Sequence, residues 1–378
     1  MSKVPASNWD FHLPTRVRFG WGRAAEAAEA LRAQGATRVF VMAGRSYLKH
    51  QGGAEALAAR LAPAAVTLFA ETEENPSIAT VDTAARLCAQ SGAQAVLAIG
   101  GGSVLDAAKV VALLQKNEGS VRDYLDGVRK ITAKGLFTVA VPTTSGTGSE
   151  VTPFSVITNP EKQSKPAIAC PENFPDLAIV DPELTLTMPQ PVAASTGLDA
   201  LTQVIEGFWS TRATDISRAL AFRAIVTIWR NLERACQDKD HDAVAAMASA
   251  SCIGGVQMAM VGNTAIHPLS YPITLDHGVR HGFACALFLP AFLRFNAPVL
   301  DSAFADLLGV LGFSRAEAFA DALEALMQRL GAPTRLGAVG VTEAMLPAIA
   351  ARGIGRSTPA NPRPVEAAEI VTICRGIL

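Results

Sequence analysis

Three histidines stand close together in the second half of the chain, and their imidazole rings are candidate metal ligands. His267, His277 and His281 lie within one short segment that also holds Tyr271, whereas the other three histidines are isolated. Imidazoles that a fold brings beside a carboxylate form divalent-metal sites of the Asp/His type. The clustering therefore predicts a metal site, and a solvated histidine-rich loop is the alternative.

A carboxylate that could complete such a site occurs about 70 residues earlier. Asp199 and Gln203 are four positions apart, so they lie on one face of a helix. This spacing is compatible with a paired ligand set, and equally with an ordinary solvated helix face.

A second kind of chemistry is indicated by glycine. The run Gly100-Gly101-Gly102-Ser103 directly follows the apolar segment Ala95–Ile99 and opens an apolar, Ala-rich segment. Successive glycines let backbone N–H groups approach a phosphate, and the positive N-terminus of the following helix favours the same anion. The alternative is a tight turn without a ligand, because the run is not the G-x-G-x-x-G fingerprint. A later loop, Pro142–Glu150, offers hydroxyls and glycine amides at what should be the same sheet edge, and the two loops together favour a dinucleotide.

The elements that must position these residues divide into two kinds. The first half alternates short apolar runs with amphipathic Ala-rich stretches, which predicts parallel strands with crossover helices. After Asp181 helical periodicity dominates, and the Pro-rich segment Pro171–Pro191 is interpreted as the connection. We expect an α/β dinucleotide-binding domain with a parallel sheet over residues 1–187, and an all-α metal and substrate domain over 188–378. The predicted strands are Arg38–Met42, Ala95–Ile99 and Leu136–Val141, and the predicted helices are Gly22–Gln34, Gly53–Leu61, Ile78–Ser91, Val104–Leu114, Pro191–Arg230, Asp242–Val261 and Arg315–Leu330.

Composition excludes several classes of function. The 378 residues carry 33 basic and 34 acidic side chains, which gives no electrostatic footprint for a nucleic-acid backbone. The apolar runs are too short to span a bilayer and the first residues lack a signal-peptide core, so we expect a cytoplasmic protein without membrane partners. The six cysteines form no C-x-x-C pair, which argues against a disulfide framework or a thiolate zinc site and favours buried, reduced side chains.

A series of motifs in a fixed order resembles the iron-containing, group III alcohol dehydrogenases. The series covers almost the whole chain, and the resemblance implies an N-terminal dinucleotide-binding domain, a helical C-terminal domain and an active site in the cleft between them. It consists of Gly100-Gly101-Gly102-Ser103 with Asp106 and Lys109, Thr143–Glu150, Asp181-Pro182, Gly197-Leu198-Asp199-Ala200, His281-Gly282 and Asn361-Pro362-Arg363.

The resemblance also implies a ligand set and a mechanism. The family's one Asp and three His fall on Asp199, Gln203, His267 and His281, so one imidazole is replaced by an amide that donates more weakly to Fe(II) or Zn(II). Another histidine common in the family's active site falls on Tyr271. The metal should polarise a substrate oxygen while hydride passes to or from a nicotinamide. Tyr271 or His277 could relay the proton, with a structural tyrosine as the alternative to the first.

The same resemblance bears on the cofactor. Many family members place an Asp after the strand Arg38–Met42, whereas this chain reads Ala43-Gly44-Arg45-Ser46. Without that carboxylate, Arg45 and Ser46 could bind a 2′-phosphate, so NADPH is favoured over NADH, with a surface arginine as the alternative. The predicted cofactor-binding residues are Gly44, Arg45, Gly100, Gly101, Gly102, Ser103, Asp106, Thr143, Thr144, Thr147 and Ser149.

The substrate expectation rests on a weaker, local resemblance. Segments such as Glu206–Ser210 and Ser270–Thr274 look like the phosphonate-metabolism branch of the family, which reduces phosphonoacetaldehyde. Arg280 could anchor the anionic tail, or could be a surface residue or a partner of Asp276. The alternatives for the whole protein are a glycerol dehydrogenase-like or dehydroquinate synthase-like enzyme, or a decayed relative that binds nucleotide without turnover. Relatives usually form homo-oligomers, and we expect the same here.

Overall fold

The computed structural model of the chain describes residues 8–378, which form two compact units. The α/β unit comprises His12–Thr144 and Gly148–Met188. The helical unit comprises Pro189–Leu378, the three residues Ser145–Thr147 and the described N-terminal residues up to Phe11. The division at residues 187 and 188 inferred from the sequence stays a prediction, while the two predicted fold classes are confirmed.

The α/β unit is built on a parallel sheet of six strands in the order β1-β8-β5-β4-β2-β3. All six residues of β4 are buried, as expected of a central parallel strand covered on both faces. A separate antiparallel pair joins β6 and β7. The strands are β1 (Arg16–Phe19), β2 (Arg38–Ala43), β3 (Ala65–Phe69), β4 (Ala95–Gly100), β5 (Phe137–Pro142), β6 (Phe154–Val156), β7 (Ala167–Ala169) and β8 (Leu177–Val180).

The predicted helices of this unit are confirmed to within a few residues, because each carries an Ala- and Leu-rich face that packs on the sheet. The interpretation of Pro171–Pro191 as a connection is wrong in part, since it contains β8, which pairs with both β1 and β5. The helices are α1 (Glu26–Ala33), α2 (Arg45–His50), α3 (Gly53–Leu61), α4 (Ile78–Ser91), α5 (Gly102–Leu114) and α6 (Val121–Leu125).

The helical unit packs nine α-helices around one apolar core in the described part of the chain. The single helical pattern predicted over Pro191–Arg230 is two helices, because the chain turns after Trp209 and Thr214 caps the next helix with its side chain. The helices are α7 (Gln190–Trp209), α8 (Asp215–Gln237), α9 (His241–Val261), α10 (Ile266–His277), α11 (His281–Asn296), α12 (Ser302–Leu311), α13 (Ala316–Arg329), α14 (Leu346–Gly353) and α15 (Ala367–Gly376).

Two segments of this unit are long and apolar enough to cross a membrane, contrary to the expectation that every apolar run is too short. They are α9 and the stretch His281–Val299, which includes α11. More than half of each is buried inside the unit, which is typical of core helices. The cytoplasmic location stays a prediction.

Candidate functional site

Three of the predicted metal ligands come together in the helical unit. Asp199 is supplied by α7, His267 by α10, and His281 by the first residue of α11. The Nε2 atom of His267 lies 3.5 Å from Asp199 Oδ1, and that of His281 lies 3.9 Å from the same oxygen. Asp199 and His267 are buried. The two imidazoles therefore converge on one carboxylate oxygen.

A fourth group in this cluster was not expected. Cys285 lies one helical turn after His281, and its Sγ is 3.8 Å from His281 Nε2. One donor atom from each of Asp199, His267, His281 and Cys285 lies within 4.8 Å of all the others. The prediction of a buried, reduced side chain is confirmed at Cys285, and its i, i+4 spacing after His281 was the available signal that it joins the cluster.

Glu206 orients His267 and was also missed. It is fully buried, and its Oε2 is hydrogen-bonded to His267 Nδ1. Its Oε1 accepts from the backbone N–H groups of Thr264 at 3.1 Å and Ile266 at 2.8 Å, and from the Thr264 hydroxyl at 2.7 Å. Oε2 is the acceptor that faces Nδ1, so the Nδ1–H group donates to Glu206 and Nε2 is the nitrogen left to bind a metal through its lone pair. Asp199, Gln203 and Glu206 lie on one face of a helix, and this spacing would have indicated that Glu206 belongs to the site.

Ser270 orients the imidazole of His281, as Glu206 orients that of His267. Its hydroxyl donates to the carbonyl of His267 at 2.7 Å, and its Oγ lies 3.4 Å from His281 Nδ1. With the hydroxyl proton engaged, Oγ can only accept from Nδ1–H. The Nε2 atom of His281 is then the nitrogen that can bind a metal through its lone pair, as it is in His267.

The electrostatics of the cluster favour a cation. Burial opposes protonation of His267, yet its pKa is raised well above the ordinary value because its interactions with Cys285, Glu206 and Asp199 outweigh burial. Without metal the imidazole therefore holds a second proton on Nε2, and a metal would take the place of that proton. A site that stabilises a buried positive charge in this way is suited to a divalent cation.

Gln203 is buried beside this cluster, one turn after Asp199 on α7. Its Nε2 has no hydrogen-bond partner among residues 8–378. An unsatisfied buried amide costs about 1–3 kcal/mol. The described side chains therefore leave this amide only partly satisfied.

Gly282 explains how α11 reaches the cluster. A Cβ at this position would lie 1.8 Å from the carbonyl oxygen of Ser195 and 2.9 Å from the Cβ of Asp199. Only glycine allows the start of α11 to pack this closely on α7. The motif His281-Gly282 therefore joins a ligand to the residue that permits its placement.

The remaining predicted site residues of the helical unit are distributed around the cluster. Tyr271 is half-buried with its ring centroid 5.9 Å from that of His281, and burial raises its pKa to about 12. His277 ends α10 and its Nδ1 lies 3.1 Å from the carbonyl oxygen of Val339, so its ring is bonded to backbone. Arg280 is the exposed N-cap of α11, directly before His281.

The glycine-rich turn lies at the point where the strand order of the sheet reverses. Strands β2 and β4 are neighbours whose connections leave in opposite directions, and this is where open α/β sheets bind ligands. A Cβ on Gly44 would lie 3.7 Å from the Cα of Gly100, so the two carboxyl ends meet. A Cβ on Gly100 would lie 2.6 Å from Val104 and one on Gly101 would lie 3.3 Å from Thr144. The backbone here is accessible only because side chains are absent.

The other predicted cofactor residues fall into two groups. Gly102 and Ser103 open α5, whose first N–H groups have no partner within the helix, while Ser103 Oγ accepts from the N–H of Asn75 at 3.1 Å. Thr143 and Thr144 follow β5, beside the turn after β4. Arg45 and Ser46 are exposed in the first turn of α2. Thr147 belongs to the short piece that groups with the helical unit.

The hydroxyl of Ser149 donates a hydrogen bond to Asp106 Oδ1. Asp106 also accepts from Val156 N–H at 2.8 Å and pairs with buried Lys109 at 3.3 Å. Lys109 in turn donates to the carbonyl oxygen of Ser149 at 3.0 Å. These contacts hold the loop Pro142–Glu150 against α5, so Asp106 and Ser149 position that loop. Direct contact of Asp106 or Ser149 with the cofactor stays a prediction.

Comparison with known proteins identifies the family of the chain. Residues 14–182 match the profile of the iron-containing alcohol dehydrogenases, and residues 193–378 match that of the C-terminal domain of the same family. The chain belongs to the iron-containing alcohol dehydrogenase family. It is therefore an oxidoreductase of the class that acts on alcohols and aldehydes.

Individual relatives extend over most of the chain. A sulfoacetaldehyde reductase from Bifidobacterium kashiwanohense, solved in complex with NAD+, is 32% identical with a TM-score of 0.93, covering 98% of this chain and 99% of that one. A 4-hydroxybutyrate dehydrogenase from Cupriavidus necator is 35% identical over 80% of this chain and 83% of its own length. Long-chain-alcohol dehydrogenase 1 from Geobacillus thermodenitrificans is 32% identical over 88% of this chain and 87% of its own.

Proposed function

We propose that the protein is an NAD(P)H-dependent, metal-dependent reductase of small aldehydes that carry an anionic tail. The observation that carries this proposal is the convergence of two imidazoles, each with its Nε2 facing Asp199, on the carboxylate of that residue. Dinucleotide binding is supported by the glycine turn at the switch point of the sheet and by the NAD+ complex of the sulfoacetaldehyde reductase.

The residues of the site divide the chemistry between them. Asp199, His267 and His281 would hold a divalent metal, which when bound supplies Lewis acidity toward the substrate oxygen. Glu206 and Ser270 fix the two imidazoles. Burial of Tyr271 keeps its phenol protonated at neutral pH, so it can donate a proton to the oxygen that becomes the alcohol hydroxyl.

An anionic substrate tail is supported by two relatives and one side chain. The substrates in the names of two relatives, sulfoacetaldehyde and 4-hydroxybutyrate, carry a sulfonate and a carboxylate. Arg280 places an exposed guanidinium next in sequence to the ligand His281. Phosphonoacetaldehyde has the same layout of aldehyde and anion, and it is the substrate that we propose.

Oxidation of NADPH and of NADH with a panel of aldehydes tests this function. We expect phosphonoacetaldehyde to be reduced with higher kcat/KM than propanal, and NADPH to be the better cofactor because no carboxylate follows β2 and Arg45 is exposed there. A preference for propanal would reject the anionic tail, and a strong preference for NADH would reject the role of Arg45. Nucleotide binding without turnover of any aldehyde would instead favour the decayed binding protein that Gln203 suggests.

Arg280→Ala is expected to raise KM for phosphonoacetaldehyde about tenfold and to leave KM for propanal unchanged. A charge-assisted hydrogen bond to a tail remote from the reacting carbon contributes about 1.5–3 kcal/mol to binding, less at an exposed site, and acts equally on ground and transition states. Steady-state kinetics with both aldehydes measure the change. Arg315→Ala is the matched control, an exposed arginine at the N-cap of α13. If the ratio of the two kcat/KM values does not move, Arg280 is not the anchor.

Tyr271→Phe is expected to lower kcat several-fold and to alter its pH profile without changing metal content. The loss is limited because a water molecule can donate in place of the phenol. Tyr124→Phe, which removes a hydroxyl bonded to a carbonyl in the α/β unit, is the control. An unchanged kcat and pH profile would show that Tyr271 is only structural.

A further inference from the structure

Cys285 has the position of a ligand in the candidate metal site. A tetrahedral zinc site with bonds of about 2.0–2.3 Å places its donor atoms about 3.3–3.8 Å apart. The separations here are 3.5 Å from Asp199 Oδ1 to His267 Nε2, 3.9 Å from that oxygen to His281 Nε2, and 3.8 Å from Cys285 Sγ to His281 Nε2, and all four donor atoms lie within 4.8 Å of one another. Small side-chain shifts therefore suffice to bring the thiol to coordination distance.

The sequence change at Gln203 creates the need for such a ligand. The family pattern calls for imidazole at this position, and an amide oxygen binds a transition metal more weakly. The Nε2 atom of buried Gln203 also has no hydrogen-bond partner among the described residues. Cys285 is buried and forms no disulfide, and its sulfur contacts the imidazoles of His281 and His267.

We propose that Cys285 coordinates the metal as a thiolate together with Asp199, His267 and His281, in place of the imidazole that Gln203 lacks. On binding, the S–H bond breaks, a sulfur–metal bond forms and the proton passes to solvent. A thiolate donor makes the site softer and raises its selectivity for Zn(II) over Fe(II). A zinc ion held by these four residues would still supply Lewis acidity toward the substrate oxygen. This inference rests on the metal site of the proposed function but not on its substrate.

Cobalt substitution of the wild-type enzyme tests the ligand directly. Protein stripped with a chelator and titrated with Co(II) should show a sulfur-to-cobalt charge-transfer band in the near ultraviolet, and X-ray absorption of the zinc form should show one sulfur at about 2.3 Å. Neither measurement needs a variant or turnover. Absence of both sulfur features, or failure of the wild type to bind cobalt and zinc, overturns the proposal.

Variants then assign the sulfur to this residue. Cys285→Ser should abolish the charge-transfer band, release about one proton fewer on zinc binding, lower zinc affinity by about 100-fold or more and lower the zinc-to-iron affinity ratio. Cys236→Ser, buried in α8, is the matched control and should keep the band. Gln203→His in the Cys285→Ser background should restore zinc binding without restoring the band.

The outcomes separate this inference from the proposed function. A sulfur band with no aldehyde reduction supports the ligand and rejects the reductase. Metal-dependent reduction with no sulfur band, or with a band that survives in Cys285→Ser, supports the reductase and rejects the ligand.

Discussion

Replacing Glu206 with Gln is expected to weaken Zn(II) binding by about 10- to 100-fold while the fold stays intact. The amide keeps the shape of the carboxylate and can still accept from Thr264 and Ile266 through its oxygen. Its NH₂ group then faces His267 Nδ1, and two donors cannot share that position. His267 must change tautomer, which moves the proton to Nε2 and blocks the lone pair that points at Asp199.

Competition with a chromophoric zinc chelator measures this change, and circular dichroism checks the fold. Glu233→Gln is the control, because it makes the same chemical change in an exposed pair with Arg329 and should leave zinc affinity as in the wild type. Wild-type affinity in Glu206→Gln would show that the carboxylate does not select the tautomer of His267.

Gly282→Ala is expected to destabilise the helical unit by about 3 kcal/mol and to remove the metal. The added methyl group meets the backbone oxygen of Ser195 at 1.8 Å, and backbone cannot rotate away as a side chain can. The start of α11 must move off α7, and His281 moves with it. The melting temperature should fall by about 6–12 °C.

Gly309→Ala is the matched control for this substitution. Gly309 is also helical, in α12, but a Cβ there has nothing within 4 Å, so the change should be neutral or stabilising by up to about 1 kcal/mol. Thermal unfolding and metal analysis of both variants measure the contrast. Equal stability of the two variants would mean that the contact between α11 and α7 is not tight.

The α/β unit was predictable because its signals are local. The runs that became β2, β4 and β5 are almost entirely apolar, as expected of strands buried on both faces, and the glycine turn directly follows β4. Strand β8 was missed because four residues in a Pro-rich stretch carry little pattern of their own. Its place between β1 and β5 comes from pairing with distant strands.

The candidate site depends even more strongly on contacts between residues that are distant in sequence. By itself the sequence determined that Asp199, His267 and His281 are candidate ligands, and that Gln203 departs from the family pattern. Helical spacing could also have placed Cys285 on the face of His281 and Glu206 on the face of Asp199, but neither residue was predicted. Which faces meet is decided by packing between helices far apart in the chain, and here by the absence of one side chain at Gly282. Only the tertiary structure could therefore show that a cysteine lies among the ligands and that a buried carboxylate sets the tautomer of one of them.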